Sequence, residues 1–113
     1  MNSYELIIII RQDISPNEVE KITSSCVSII EKYDGSLVKT EYWGIRNLAY
    51  EIVKSKKAHY SFVGFKGKAE ALNEIRRRMK INETVLRTII TKVKEIDTNP
   101  SAILKPNSER NTA

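Results

Sequence analysis

Four cations in five residues, Arg76-Arg77-Arg78-Met79-Lys80, form the densest chemical group in this chain. Guanidinium and ammonium groups at that spacing suit one task well: neutralising a row of phosphates. At 100° per residue, Leu72, Ile75 and Met79 mark the core side of a helix. Asn73, Arg77 and Lys80 then fall on its exposed side. Arg78 follows Glu74 by four residues and can pair with it. Arg76 flanks the core and can snorkel. Cations placed to complement a helix dipole would account for two of the four, not all. Arg87 sits within a strand pattern among Val85, Ile89 and Ile90, where a charge should face outward, either to reach an RNA backbone or to snorkel. Arg46 follows Gly44, a kink that could turn a long side chain toward a partner. The candidate phosphate contacts are therefore Arg46, Arg76, Arg77, Lys80 and Arg87.

The surrounding charge supports that chemistry. Residues 66–94 hold nine Lys or Arg against three acids, an excess of six, while the chain as a whole carries +5. All the surplus positive charge lies in that one third, the footprint expected for a phosphate-rich partner. A solvated face that keeps the protein soluble is the competing explanation.

A second group is aromatic. Tyr42 and Trp43 could stack on bases, anchor a protein partner, or cover the end of the core; Tyr50 is a third candidate for the protein-docking set. His59-Tyr60-Ser61-Phe62-Val63-Gly64-Phe65 echoes the aromatic strand of an RNA-recognition motif. Phe62 and Phe65, however, have odd separation and face opposite ways on a regular strand, which favours core packing for both. Catalysis finds no support. One His and scattered carboxylates assemble no nucleophile-base-acid set. Acylphosphatases share the chain order read below, but Arg11-Gln12-Asp13-Ile14 lacks the Gly of their phosphate loop. The chain has one Cys, Cys26, and one His, His59. That leaves no internal disulfide and no Cys/His metal cluster, and no cofactor is expected. Cys26 lies on an apolar helix face and should be an inert core residue.

These side chains must be positioned by a small scaffold. At 113 residues, 41% hydrophobic and 29% charged, the chain suits a single globular domain. Its longest apolar run, Leu6 to Ile10, is too short to span a bilayer, and no signal-peptide core is evident, so a cytoplasmic protein is expected. Tyr4 to Arg11 reads as a central strand. Ser15-Pro16-Asn17-Glu18 opens a helix with Ser15 as cap, Pro16 in the first turn and Glu18 closing a capping box. Val19, Ile22, Cys26, Ile29 and Ile30 form its apolar stripe. Gly35 is available for the left-handed position after its end. Leu37 to Val53 reads as a long strand bent at Gly44, Lys54 to Lys57 as a turn, and His59 to Lys66 as a strand. Glu70 to Lys80 reads as a helix and Val85 to Val93 as a last strand. Residues 1–96 form the expected domain. Residues 97–113, with two Pro and no periodicity, are expected to be a mobile tail. The order β-α-β-β-α-β is the ferredoxin-like split βαβ of the α+β class: a four-stranded antiparallel sheet with two helices on one face and strands 1 and 3 central.

The order of residues adds a resemblance. Trp43-Gly44-Ile45-Arg46-Asn47-Leu48-Ala49-Tyr50-Glu51-Ile52 resembles the signature of the bacterial small-subunit ribosomal protein six family. Tyr4-Glu5, Pro16, the stripe to Ile30, Gly35, Tyr60 and the run Met79 to Arg87 fit the same pattern. Asn2-Ser3, Asn47 and Ala58 depart from it. The resemblance implies a non-enzymatic constituent of the small ribosomal subunit. It implies binding to small-subunit (16S) ribosomal RNA together with ribosomal protein eighteen, with no membrane or small-molecule partner. The alternatives are a free-standing RNA-recognition-type module for single-stranded RNA, or a small-molecule regulatory domain of the same fold.

Overall fold

The computed structural model describes residues 1–52 and 55–101, and the side chains of 48–56 lie outside the described set. The elements are β1 (Asn2–Arg11), α1 (Pro16–Lys32), β2 (Ser36–Ile52), β3 (Ser55–Gly67), α2 (Ala69–Ile81) and β4 (Val85–Val93). The four strands form one antiparallel sheet in the order β2-β3-β1-β4. The β1 and β3 strands are central, as expected, and the two helices lie on one face.

Alternation assigns the faces. Tyr4, Leu6, Ile8 and Ile10 of β1 and Val63 and Phe65 of β3 point to the helices and are buried. There they meet Val19, Cys26, Ile29 and Ile30 of α1 and Leu72, Ile75 and Met79 of α2 in a single core. Full burial of each Ile or Leu side chain contributes about 1.5–3 kcal/mol. Thr23 interrupts the α1 stripe with a hydroxyl, yet is buried. It donates to the Val19 carbonyl at 3.0 Å and pairs with Ser61 Oγ at 2.6 Å. Burial pushes the Cys26 thiol up to about 12, outweighing the Ser25 hydroxyl beside it. It is an inert core residue lying 3.9 Å from Met79 Sδ.

The helix ends correct two expectations. Ser15 Oγ accepts from the Glu18 amide at 3.3 Å, but the Glu18 carboxylate takes Lys21 at 3.2 Å instead of closing a capping box. At the other end, Asp34, not Gly35, occupies the left-handed region, with φ 64°. The Asp34 and Gly35 amides reach back to the carbonyls of Glu31 (3.1 Å) and Ile30 (2.8 Å), a Schellman closure. Gly35 is needed for close approach. A Cβ there would lie 2.6 Å from the Lys66 carbonyl oxygen and 2.8 Å from Ile30 Cγ2. Asp tolerates the left-handed position at modest cost; no side chain tolerates the Lys66 contact.

Two boundaries also move. β3 begins at Ser55, paired with Ile52, so Ser55 to Lys57 belong to the strand rather than to a turn; Val53 and Lys54 lie outside the described residues. The chain after β4 does not leave the domain at Asp97. Ile96 is buried, and residues 97–101 stay against β2.

Candidate functional site

The α2 helix and the edge strand β4 converge at their basic ends. Arg76, Met79 and Lys80 from α2 line a cleft of about 400 Å³ with Val85, Leu86, Arg87 and Thr88 from β4. The Asn82-Glu83-Thr84 turn sets this geometry. The Asn82 side-chain oxygen accepts from the Thr84 amide at 3.0 Å and from its hydroxyl at 2.7 Å, bringing β4 back beside the helix. Among the described residues, the lining contains no carboxylate. Three of the five candidate phosphate contacts, Arg76, Lys80 and Arg87, therefore border one cleft at this edge, Arg87 from a position whose pairing with Ile9 places it on the open face of the sheet.

The other two lie elsewhere. Arg77 engages Glu74 through both ends of its fork, at 2.8 and 3.0 Å, and Arg78 reaches the same carboxylate at 3.2 Å. Only the Arg78 pair was expected, although the i,i+3 spacing of Arg77 allows the same bond. Together, led by the Arg77 hydrogen bond, they draw the Glu74 carboxyl down to about 2 and hold the Arg77 guanidinium protonated still more firmly. Arg46 belongs to the opposite edge strand. Its Nε donates to the Trp43 carbonyl at 3.0 Å, so it braces the β2 bulge. Its charge also opposes the upward shift that burial imposes on the Tyr60 hydroxyl.

That bulge forms at Gly44, where φ is 82° and the β2–β3 register slips. The predicted kink is thus present, and its cause is backbone conformation, since no atom lies within 4 Å of a Cβ placed there. The adjacent aromatics do not act as a pair. Tyr42 turns to the helix side, its hydroxyl 2.7 Å from His59 Nδ1, while its ring remains 45% exposed. His59 Nε2 lies 2.6 Å from the Ile14 carbonyl, an obligate acceptor, so the ring donates there while Nδ1 meets the Tyr42 hydroxyl. Trp43 turns to the open face and stacks on Phe62, with ring centroids 5.3 Å apart and planes inclined by 19°. Tyr50 lies in β2, but its side chain is outside the described residues.

Beside Tyr42, a groove of about 290 Å³ runs between the start of α1 and β2, lined in part by Val19, Glu20, Thr23 and Tyr42. Leu37 and Ile45 are also exposed on β2. This edge is aromatic and aliphatic, with Glu20 at its groove and Lys39 paired to Glu41, unlike the basic edge at β4.

The open face limits base stacking. Phe62 is only 3% exposed, covered by the Trp43 ring and by Lys39, whose Nζ lies 5.3 Å from the Phe62 centroid. Phe65 lies on the other face, against Tyr4. Both are packing residues, as their odd separation suggested. Lys39 and Glu41 escaped the sequence reading, although period-2 alternation already places Lys39, Glu41 and Trp43 on one face and Tyr42 on the other. Among the described residues, no cluster of His, Cys, Asp and Glu could hold a metal ion, and no helix is long and apolar enough to cross a membrane.

The chain is similar to known proteins in sequence and in fold. The model of a family described as ribosomal protein S6 matches residues 3–92. The small ribosomal subunit protein bS6 of Rickettsia felis is 44% identical over 112 residues, covering 99% of this chain and 93% of its own. That of Rickettsia prowazekii is 43% identical with the same coverage. The crystal structure of 30S ribosomal protein S6 from Thermotoga maritima superposes with a TM-score of 0.75 at 26% identity, covering 81% of this chain and 87% of that one. The C-terminal domain of the MgtC protein from Mycobacterium tuberculosis, at a TM-score of 0.57 and 10% identity, shares the fold alone.

Proposed function

The chain belongs to the ribosomal protein S6 family of the small ribosomal subunit, and from that membership we propose that it joins ribosomal RNA and a second protein through opposite edges of its sheet. The family is a structural one of the cytoplasmic ribosome, not an enzyme class. The RNA is the small-subunit (16S) ribosomal RNA, and the protein is ribosomal protein eighteen. The observation that supports this reading is the cleft lined by Arg76, Lys80 and Arg87 from two adjacent elements. Cations at such a cleft neutralise phosphates and release counterions without reading base identity. Arg46 and Arg77 add to the positive field while engaged with the Trp43 carbonyl and Glu74.

The protein partner docks along β2, where Tyr42 presents a half-exposed ring fixed by His59. Aromatic side chains held in one orientation make effective anchors, because little rotamer freedom is lost on binding. Tyr50, further along the same strand, is the third residue of the proposed docking set, and Trp43 packs on the far face. Three phosphate contacts give a modest electrostatic grip, so the chain alone should bind RNA weakly. Gel shifts with small-subunit ribosomal RNA fragments should show little complex until ribosomal protein eighteen is added. Tight binding without the partner would contradict the division between edges.

A further inference from the structure

Residues 96–101 do not simply trail from β4. Ile96 is 5% exposed and sits over Gly64, where a Cβ would lie 2.9 Å from its Cγ2. The missing side chain at Gly64 is therefore a notch in the open face, and Ile96 fills it. Asp97 then caps a turn by accepting from the Asn99 amide at 2.9 Å. The Asn99 carbonyl accepts from Lys39 Nζ at 2.7 Å. Finally the Ser101 amide donates to Glu41 Oε2 at 3.0 Å, and its hydroxyl to Glu41 Oε1. Glu41 is itself fixed by the Trp43 indole N–H at 3.0 Å and by Lys39 at 3.5 Å.

These contacts have the parts of a peptide-recognition site: an apolar notch, a cation for a backbone carbonyl, and a carboxylate for an N–H and a hydroxyl. Lys39 and Glu41 are held by each other and by Trp43, so much of the geometry exists without the segment. We propose that this end of the open face is a peptide-docking site whose resident ligand is the chain's own Ile96–Ser101. The site takes a segment with an aliphatic residue, a turn capped by the following acid, a carbonyl three positions on from the aliphatic residue, and a hydroxyl residue five positions on. Covalent attachment keeps the resident at a high effective concentration, so a competing segment enters only when the resident is released.

The test uses the full-length chain. Ile96→Asp places a carboxylate in the notch and releases the segment. Trp43, the only Trp, reports the event because its N–H shares Glu41 with Ser101. Trp43 emission should shift, and hydrogen exchange at the Ser101 amide should accelerate at least tenfold, with the circular dichroism of the domain retained. A blocked peptide Glu-Ile-Asp-Thr-Asn-Pro-Ser, matching residues 95–101, should reverse the Trp43 shift in the variant at millimolar concentration and leave the wild type unchanged. A peptide ending in Ala instead of Ser should bind several-fold more weakly, since the hydroxyl's hydrogen bond to a charged acceptor is lost while the amide's is kept. Should Ile96→Asp unfold, the double variant Glu41→Gln, Ser101→Ala removes the polar latch alone and should still accelerate Ser101 exchange. Unchanged Trp43 emission and Ser101 exchange in a folded variant would overturn the proposal. So would a peptide without effect on the emptied site.

Discussion

The two edges of this sheet are built from the same kind of strand and present opposite chemistry. At β4, a polar turn at Asn82–Thr84 holds the strand against α2, so cations from both elements line one cleft. At β2, exposed Leu37, Tyr42 and Ile45 stand beside Glu20 at the groove, while Lys39 and Glu41 pair with each other on the open face. Three strand spacings separate the edges, about 14 Å, beyond a Debye length at physiological salt. A phosphate backbone at one edge therefore places little direct charge on the other. A small domain can hold two partners of different chemistry in this way without a second core.

The largest effect should come from removing the basic edge. Changing Arg76, Lys80 and Arg87 together to Gln should flatten the log K versus log salt slope of the RNA complex by roughly two. Near 0.1 M salt the same relation gives a loss of about a hundredfold in affinity. Core positions are untouched, so the melting temperature should hold. At the other edge, Tyr42→Ala should weaken partner association by about 2 kcal/mol, roughly thirtyfold, and leave the salt slope of RNA binding in place. Trp43→Ala should do something different, because its ring covers Phe62. It should lower stability by about 2 kcal/mol, less than full burial of a Trp would give, as read by chemical denaturation followed by circular dichroism. If Tyr42→Ala proves the more destabilising, the assignment of anchor and cover is reversed.

Smaller effects refine the picture. Asp34→Gly should stabilise the domain by about 1 kcal/mol by relieving a left-handed non-glycine residue. Arg77→Gln should change the RNA salt slope by well under the roughly 0.7–0.9 of a full phosphate contact, since Glu74 already holds its fork. The strap over the open face should also respond to acid. Burial alone would raise the Glu41 carboxyl, but hydrogen bonds from Ser101 and Trp43 and the charge of Lys39 hold it below its usual range. Its folded value is depressed, so the strap's stabilisation is complete above the unfolded value of about 4.3 and disappears as pH falls through the lower folded value. Glu5 of β1, Lys66 of β3 and Asp97 of the strap share this face, so Glu41→Gln is the control that isolates the carboxylate. Trp43 emission against pH reads the release.

Much of this was legible in local pattern. Five consecutive Leu/Ile residues in β1, the Ser15-Pro16 start, the Gly44 kink and the arginine cluster each declared an element or a charge. What escaped depended on contacts distant in sequence. Gly35 looked like the left-handed residue because glycine favours that conformation, but the Lys66 carbonyl thirty-one positions away claims its bare Cα. Residues 97–101 looked mobile because their partners, Lys39 and Glu41, lie sixty positions upstream. Tyr42 and Trp43 are a different case. Strand parity alone separates them, and only their adjacency suggested a pair. The Arg77–Glu74 bond was equally accessible, being an i,i+3 neighbour on a helix.

The division of labour between edges is tested most directly by hydrogen exchange on the wild-type chain as its partners are added in turn. Ribosomal protein eighteen alone should slow exchange along 36–47 of β2 and leave 76–88 unchanged. Adding the small-subunit RNA fragment should then slow exchange across 76–88, around the cleft of Arg76, Lys80 and Arg87. Protection of β2 by RNA, or of α2 and β4 by the protein partner, would contradict the account.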